Sequence, residues 1–338
     1  QRQLSRGTTL EAFYVGAKGT HLLDRRDIAQ PYGIAAADLP FCQADPTDIT
    51  HNCPPSSRLP YKNFTGYYID SDFHGYSNYN AGNLKLEHRS GSQAITAIYT
   101  WARSLDDKSA AAGVGATGTG YQGFMDNHNP QLDYGPSDFD VDQRFVASYI
   151  YDLPVGRGRR FLGGANKAAD LAVGGWEVTG ITTFQTGFPY GIAATDTAGL
   201  LGSTGPRANV IPGCKINSGF QKSLTQWINT SCFSQPAIGV YGNSARNFLR
   251  QPGINNFDIG VVKSFAFTEQ IRFALRVESF NTFNHPQYNV SVGGLATAGS
   301  GGGSSINNTL GNAQFGEITG NPAVTPGRII QLGGKLTF

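Results

Sequence analysis

Gly113-Val-Gly115-Ala-Thr-Gly118 spells G-x-G-x-x-G, the spacing with which a glycine-rich turn brings backbone N–H groups to a pyrophosphate. That chemistry needs a strand before the turn and a helix after it. Here the motif stands in Ser109–Gly120, a run of Ala, Gly, Thr and Ser with no helical pattern behind it, and it reads as loop. Asp138-Phe-Asp140-Val-Asp142 sets three alternating carboxylates just ahead of a strand pattern. Ca²⁺ takes several oxygen ligands and could use such a cluster, but the glycine and the closing glutamate of an EF-hand loop are missing. The leading reading is solvated loop acids; the alternative is a weak divalent site at Asp138, Asp140 and Asp142. His21, His51, His74, His88, His128 and His285 make no metal-ligand pair on one element, and no serine stands in a G-x-S-x-G elbow. Glu87 and Glu278 are single carboxylates that nothing singles out for glycosidase chemistry. The expectation is a protein without catalytic residues and without a cofactor.

The four cysteines fall in pairs, Cys42 with Cys53 in one long polar stretch and Cys214 with Cys232 in another. Local pairs outside the strand patterns suit an oxidising compartment, and each disulfide would close a small ring worth ~3 kcal/mol. Free thiols are the alternative. A metal site is disfavoured, because no C-x-x-C or H-x-x-x-H accompanies them.

The elements that would position these residues are strands. Eight segments alternate apolar and polar residues: Thr8–Val15, Tyr79–Arg89, Gln93–Arg103, Gln143–Leu153, Trp176–Tyr190, Asn256–Phe267, Gln270–Phe283 and Arg328–Phe338. A period of two over about ten residues marks a strand with two unlike faces. In the last segment Ile330, Leu332, Leu336 and Phe338 share the apolar face. This terminal strand, ending on an aromatic, resembles the final strand of outer-membrane barrels that the assembly machinery engages. Lys85, Glu87, Arg89, Arg144, Arg272, Arg276, Glu278 and Lys335 take the opposite face of their segments, the lumen side of a barrel wall. About eleven residues at ~3.3 Å each, tilted by ~45°, rise roughly 25 Å, the height of a lipid-facing band.

The connections alternate in length. Ser90-Gly-Ser92 and Thr268-Glu269 are short and Pro154–Gly175 is moderate, whereas about 16–78, 104–142, 191–255 and 284–327 are long. Short turns on one rim and long loops on the other is the pattern of outer-membrane barrels, and a soluble sandwich has no reason to sort its loops so. The parity puts the short links on the periplasmic side and both cysteine pairs outside. It also makes Gln1–Leu4 the tail of a preceding strand, so that the chain enters partway along a wall.

Composition agrees. Charged residues are 15%, hydrophobic residues 39% and aromatics 12%, with 44 glycines. A soluble domain this poor in charge needs a large core, which these apolar residues do not supply; a barrel with one face in lipid and one in water resolves the conflict. No segment approaches the apolar length of a membrane helix. Net charge is +2, and the densest basic run, Arg157-Gly-Arg159-Arg160, is short, so no nucleic-acid partner is expected. The given residues begin on Gln without a signal-peptide pattern, so a mature chain or a fragment of a longer one is expected.

Several stretches then resemble one family in order and spacing. They include Tyr14-Val-Gly-Ala-Lys-Gly-Thr-His-Leu22, Tyr99-Thr-Trp-Ala-Arg-Ser-Leu105 and Asp138-Phe-Asp-Val-Asp-Gln-Arg-Phe-Val-Ala-Ser-Tyr149. Asp152-Leu-Pro-Val-Gly-Arg-Gly-Arg-Arg160, Gly174-Gly-Trp-Glu-Val-Thr-Gly180, Gln185-Thr-Gly-Phe-Pro189 and Gly242-Asn-Ser-Ala-Arg-Asn247 continue the series. Pro252-Gly-Ile-Asn-Asn-Phe-Asp258 and Phe280-Asn-Thr-Phe-Asn-His-Pro286 complete it. Together they resemble the C-terminal barrel of Oar-like TonB-dependent receptors of the acidobacterial type, with a carboxypeptidase-regulatory-like domain. The resemblance implies an all-β, antiparallel transmembrane barrel of roughly 22 strands. Residues 1–338 would supply about eight C-terminal strands of that single domain, with the plug and N-terminal β-sandwich absent. It implies uptake of a large or scarce substrate at the bacterial outer membrane. The partners implied are outer-membrane lipid, the barrel-assembly machinery, the TonB complex through the plug region, and a substrate at the loops. A passive porin is the alternative function, and a secreted soluble β-sandwich that binds glycans is the second.

Overall fold

The computed structural model describes residues 1–63, 69–109, 124–195, 206–268, 270–288, 306–319 and 327–338. Parts of all four expected long connections, among them the G-x-G-x-x-G motif at 113–118, and residue 269 of the expected short turn lie outside them. One antiparallel sheet organises the rest. Its strands are β1 (Arg2–Ser5), β2 (Thr8–Asp27), β3 (Ile69–Ser90), β4 (Gln93–Asp106), β5 (Gln143–Asp152), β6 (Trp176–Gln185), β7 (Ile254–Ala266), β8 (Arg272–Phe280) and β9 (Ile329–Thr337). Each pairs with the next in chain order, so the sheet is a plain meander, open between β1 and β9. The two-residue piece Gly135–Pro136 adds to the far end of β4.

The register carries the alternation across the whole sheet. Lys85 faces Ile98, Ile98 faces Val146, Val146 faces Thr183, and Thr183 faces Asn256 on one side. Tyr99, Phe145 and Phe184 stand in line on the other. A one-residue slip anywhere would swap the faces, and none occurs between β3 and β9. The apolar face ends in aromatics at both rims. Phe145, Phe184, Phe257 and Phe283 meet in successive ring contacts of 6.1, 5.4 and 5.0 Å toward the long-loop rim. Tyr151, Trp176, Phe265 and Phe273 hold the last rungs at the short-turn rim. Trp176 to Phe184 is about 26 Å of strand, or roughly 20 Å of height once tilted, comparable with the apolar band of a barrel between its aromatic girdles. Among the described residues no helix is long and apolar enough to cross a membrane.

Three details differ from the sequence expectation. The expected first long loop, 16–78, is strand at both its ends, because β2 and β3 pair from Thr8–His88 out to Asp27–Ile69. Beyond the lipid band neither face has to be apolar, so the alternation fades while the ladder continues. The fifth expected segment stops at Gln185 instead of Tyr190. At Gly187 an added Cβ would lie 1.9 Å from Gln251 O, so the chain is pinned there, and Pro189–Tyr190 pairs with Leu249–Arg250. The moderate link contains a helix, α1 (Lys167–Val173), started by Asn166, whose side chain accepts from Ala169 N at 2.8 Å.

The buried core sits above the sheet. Tyr190, Ile192, Ala208, Ile228, Cys232, Phe233, Leu249 and Ile306 form its largest cluster, all from the long connections after β6 and β8. The short supply of apolar residues is thus divided between a face for lipid and a small core for the loops.

Candidate functional site

The polar face of the sheet gathers all eight charged residues expected there. Lys85, Glu87 and Arg89 share it on β3, Arg144 on β5, Arg272, Arg276 and Glu278 on β8, and Lys335 on β9. Ile330, Leu332 and Leu336 lie on the opposite face, with Phe338 just past the end of β9. Two close pairs form within single strands, Lys85 with Glu87 at 2.9 Å and Arg276 with Glu278 at 3.4 Å. A hollow of about 550 Å³ lies over this face, lined among others by Arg89, Thr96, Ser148, Asp258, Arg276 and Glu278. Its floor follows one hydrogen-bonded row, from Arg89 through Ala94, Ile150, Thr179 and Gly260 to Glu278. Arg89 is next to last in β3, whereas Glu278 stands well up β8. The row climbs the wall, as the shear of a tilted barrel requires.

Above the long-loop rim the connections are latched by arginines. Arg246 Nη1 donates to Asp106 Oδ1 at 2.6 Å and to Asp106 O at 2.9 Å, and its Nη2 donates to Ser109 Oγ at 2.7 Å and to Asp138 at 3.2 Å. Asn247 Nδ2 donates to the same Asp138 oxygen at 2.6 Å. Arg250 donates to Asp140 and, at 2.7 Å, to Asp142, which Arg103 also reaches at 3.2 Å. Arg207 pairs with Asp133 and donates to Leu132 O at 2.8 Å. Three arginines of the β6–β7 connection thereby hold the acids of the β4–β5 connection. The β2–β3 connection joins through Gln30, which donates to Met125 O at 3.0 Å and accepts from Asn127 N at 2.6 Å, and the end of β2 joins through the Lys108–Asp24 pair.

This network replaces the reading of Asp138 and Asp140 as solvated acids, whereas the Asp142 side chain stays 32% exposed. Asp140 is fully buried, so it is no solvated acid, and it accepts from Ser104 N at 2.5 Å. The carboxylates turn to arginine guanidiniums, and among the described residues no group of three acid, histidine or cysteine side chains is placed to hold a metal. The alternation Asp-x-Asp-x-Asp presents Asp138 to Arg246 and both Asp140 and Asp142 to Arg250. Those partners, Arg246 and Arg250, lie more than a hundred residues away, and no local spacing announces them. The one sequence signal is that Arg207, Arg246 and Arg250 stand in a connection poor in acids.

Electrostatics follow burial. Burial pushes the Asp140 carboxyl up, against the Ser104 N–H and Arg250. Burial likewise raises Asp107, which accepts from Tyr76 N, and lowers the Lys108 ammonium against the pull of Asp24. For Arg246 burial opposes the charge, but Asp138 and Asp106 outweigh it and hold the pKa above its ordinary value. The histidines are scattered: His51 bonds Asp48 at 2.6 Å, His88 bonds Thr8 at 2.8 Å, and His128 bonds Gln30 O at 2.8 Å.

Both expected disulfides form, Cys42–Cys53 and Cys214–Cys232. Cys232 belongs to the main loop core, and Cys42 and Cys53 pack with Ile34 in a smaller one. The crosslinks therefore brace the layer that has little apolar material of its own.

Comparison with known proteins places this architecture. The family described as "Outer membrane beta barrel domain" matches residues 1–331. Among solved structures, the outer membrane transporter YddB from Escherichia coli is similar, with 8% identity and a TM-score of 0.40. That likeness covers 84% of this chain, which spans 28% of the transporter's chain. No curated protein matches.

Proposed function

We propose a function from one premise: the chain belongs to the outer membrane beta barrel domain family. It is an outer-membrane protein, and its two-faced antiparallel sheet is barrel wall. The reading that the geometry supports best is the wall and loop segment of a receptor or transporter that admits a polar solute, of the Oar-like, TonB-dependent type. The polar face lines the lumen. The connections form the vestibule where substrate is first held, and transport, not catalysis, is the activity. The observation that carries this is the latch of Arg207, Arg246 and Arg250 on the acids of the neighbouring connection. Loops locked together over a polar wall make a preformed mouth, where binding costs little ordering.

In this reading a plug relays energy from TonB, and barrel-assembly machinery engages β9. Deleting the TonB system should abolish uptake of the substrate by cells that depend on this protein. Uptake that persists unchanged would favour a passive channel and refute TonB dependence. A protein that is monomeric and soluble without detergent would refute the membrane wall itself.

A further inference from the structure

The link between β5 and β6 holds charges that serve neither the polar face nor the loop layer. Between Leu153 and Gly175 its charged residues are Arg157, Arg159, Arg160 and Lys167 against Asp170 alone. The three arginines are exposed, and beside them Phe161 and Leu162 are exposed at 52% and 60%. The turn is nonetheless well braced. Gly156 N donates to Phe161 O at 2.9 Å, Gly158 N to Gly163 O at 3.0 Å, and Arg159 N to Gly156 O at 3.0 Å. These bonds hold Leu162 at φ 58°, a region that disfavours a branched apolar residue.

A chain of contacts fixes where this turn lies. Arg157 N donates to Asp170 Oδ1 at 2.6 Å, which ties the turn to α1. The far end of α1 rests on two side chains of the apolar face. Trp176 Nε1 donates to Ala172 O at 3.0 Å, and Lys263 Nζ donates to Gly174 O. Trp176 and Lys263 are cross-strand partners, so both stand on the face that meets lipid. The basic turn is therefore carried on the lipid side of the rim, at the level of the girdle formed by Tyr151, Trp176 and Phe265. Interfacial tryptophan and tyrosine mark the headgroup depth of a bilayer. A guanidinium at that depth finds phosphate oxygens, which it binds in a planar fork.

The geometry points to a binding site for anionic phospholipid headgroups on this rim, with Arg157, Arg159 and Arg160 as phosphate donors and Phe161 and Leu162 entering the interface. With short turns on the periplasmic side, the lipid is that of the inner leaflet of the outer membrane. The site rests on membrane location and not on transport. It accounts for three adjacent uncompensated arginines, an exposed apolar pair and a strained leucine in one braced turn.

The test uses the protein in nanodiscs containing phosphatidylglycerol and phosphatidylcholine, with retained lipids counted by native mass spectrometry. Phosphatidylglycerol should be retained preferentially, and the preference should weaken as salt is raised. R157Q/R159Q/R160Q should lower its affinity by about fivefold per arginine, roughly a hundredfold in all. The triple Arg→Lys variant should keep most of it. No preference in the unaltered protein, as for a turn that docks an acidic protein instead, would overturn the proposal. So would a preference that survives the triple Gln substitution. Heat-modifiable gel migration reports whether that variant is folded. If it is not, a salt-insensitive preference in the unaltered protein is the overturning result.

Discussion

Replacing Arg246 by Met should unlatch the loop layer while leaving the sheet below it intact. The side chain is 8% exposed, and the carboxylates it meets, on Asp106 and Asp138, are 4% and 8% exposed. Met keeps most of the apolar bulk but leaves two buried carboxylates without their cation. Removing one partner of such a pair costs about 3–5 kcal/mol, because the remaining charge has lost its water as well as its counter-ion. That is a factor of roughly two to almost four decades in the equilibrium for local opening. The unit that opens is the contact between the β4–β5 and β6–β7 connections, since Arg207 and Arg250 make separate pairs on either side. Limited proteolysis of the membrane-embedded protein should therefore cut between Asp106 and Asp142 far faster in R246M, with unchanged heat-modifiable migration of the wall. Acid should partly restore the variant, because protonating either carboxylate removes an uncompensated charge, and R246M/D106N should recover part of the loss at neutral pH. A cleavage rate equal to that of the unaltered protein would refute the assignment of the latch. So would a variant whose wall unfolds together with its loops.

Three further outcomes follow from other parts of the molecule. V277K places an ammonium on the apolar face, opposite Leu332 and Val261, and should cost about 2–4 kcal/mol and reduce the folded band on gels, whereas E278K on the polar face should not; equal yields would refute the assignment of faces. Removing the Cys214–Cys232 bridge as C214S/C232S should loosen the loop core by ~3 kcal/mol, read as faster hydrogen exchange at Ile211, whose N–H bonds Cys232 O at 2.9 Å; unchanged exchange would show that the crosslink is redundant. Asp107 has its folded pKa raised by burial, so its contribution is present below the ordinary carboxylate value and lost as pH rises through the folded one. D107N should flatten that loss, measured as Tyr76 amide exchange between mildly acid and neutral pH, and an undiminished pH dependence would assign it to another group.

The fold was legible because a wall between lipid and water imposes a period of two on every residue within the bilayer. Segments such as Gln143–Leu153 and Arg328–Phe338 therefore declared both their type and their faces, and the alternation of short and long links ordered them into a meander. Legibility stopped where the membrane stops. Gly16–Asp27 has no apolar face to keep, so its place in β2 depends on pairing with β3, not on its own pattern.

The loop layer shows the other limit. Asp138-Phe-Asp-Val-Asp142 looked like solvated acid or a weak cation site because a carboxylate alone does not say which cation it faces. Arg246 and Arg250 settle that from more than a hundred residues away. The basic turn at Arg157–Arg160 was visible as composition, but only Asp170, Trp176 and Lys263 put it on the lipid side of the rim. What the amino-acid order determined by itself was what two solvents dictate residue by residue: strand, face and membrane. What tertiary structure alone decided was the pairing of charges across distant loops, because buried ion pairs are selected by position in space and leave no period along the chain.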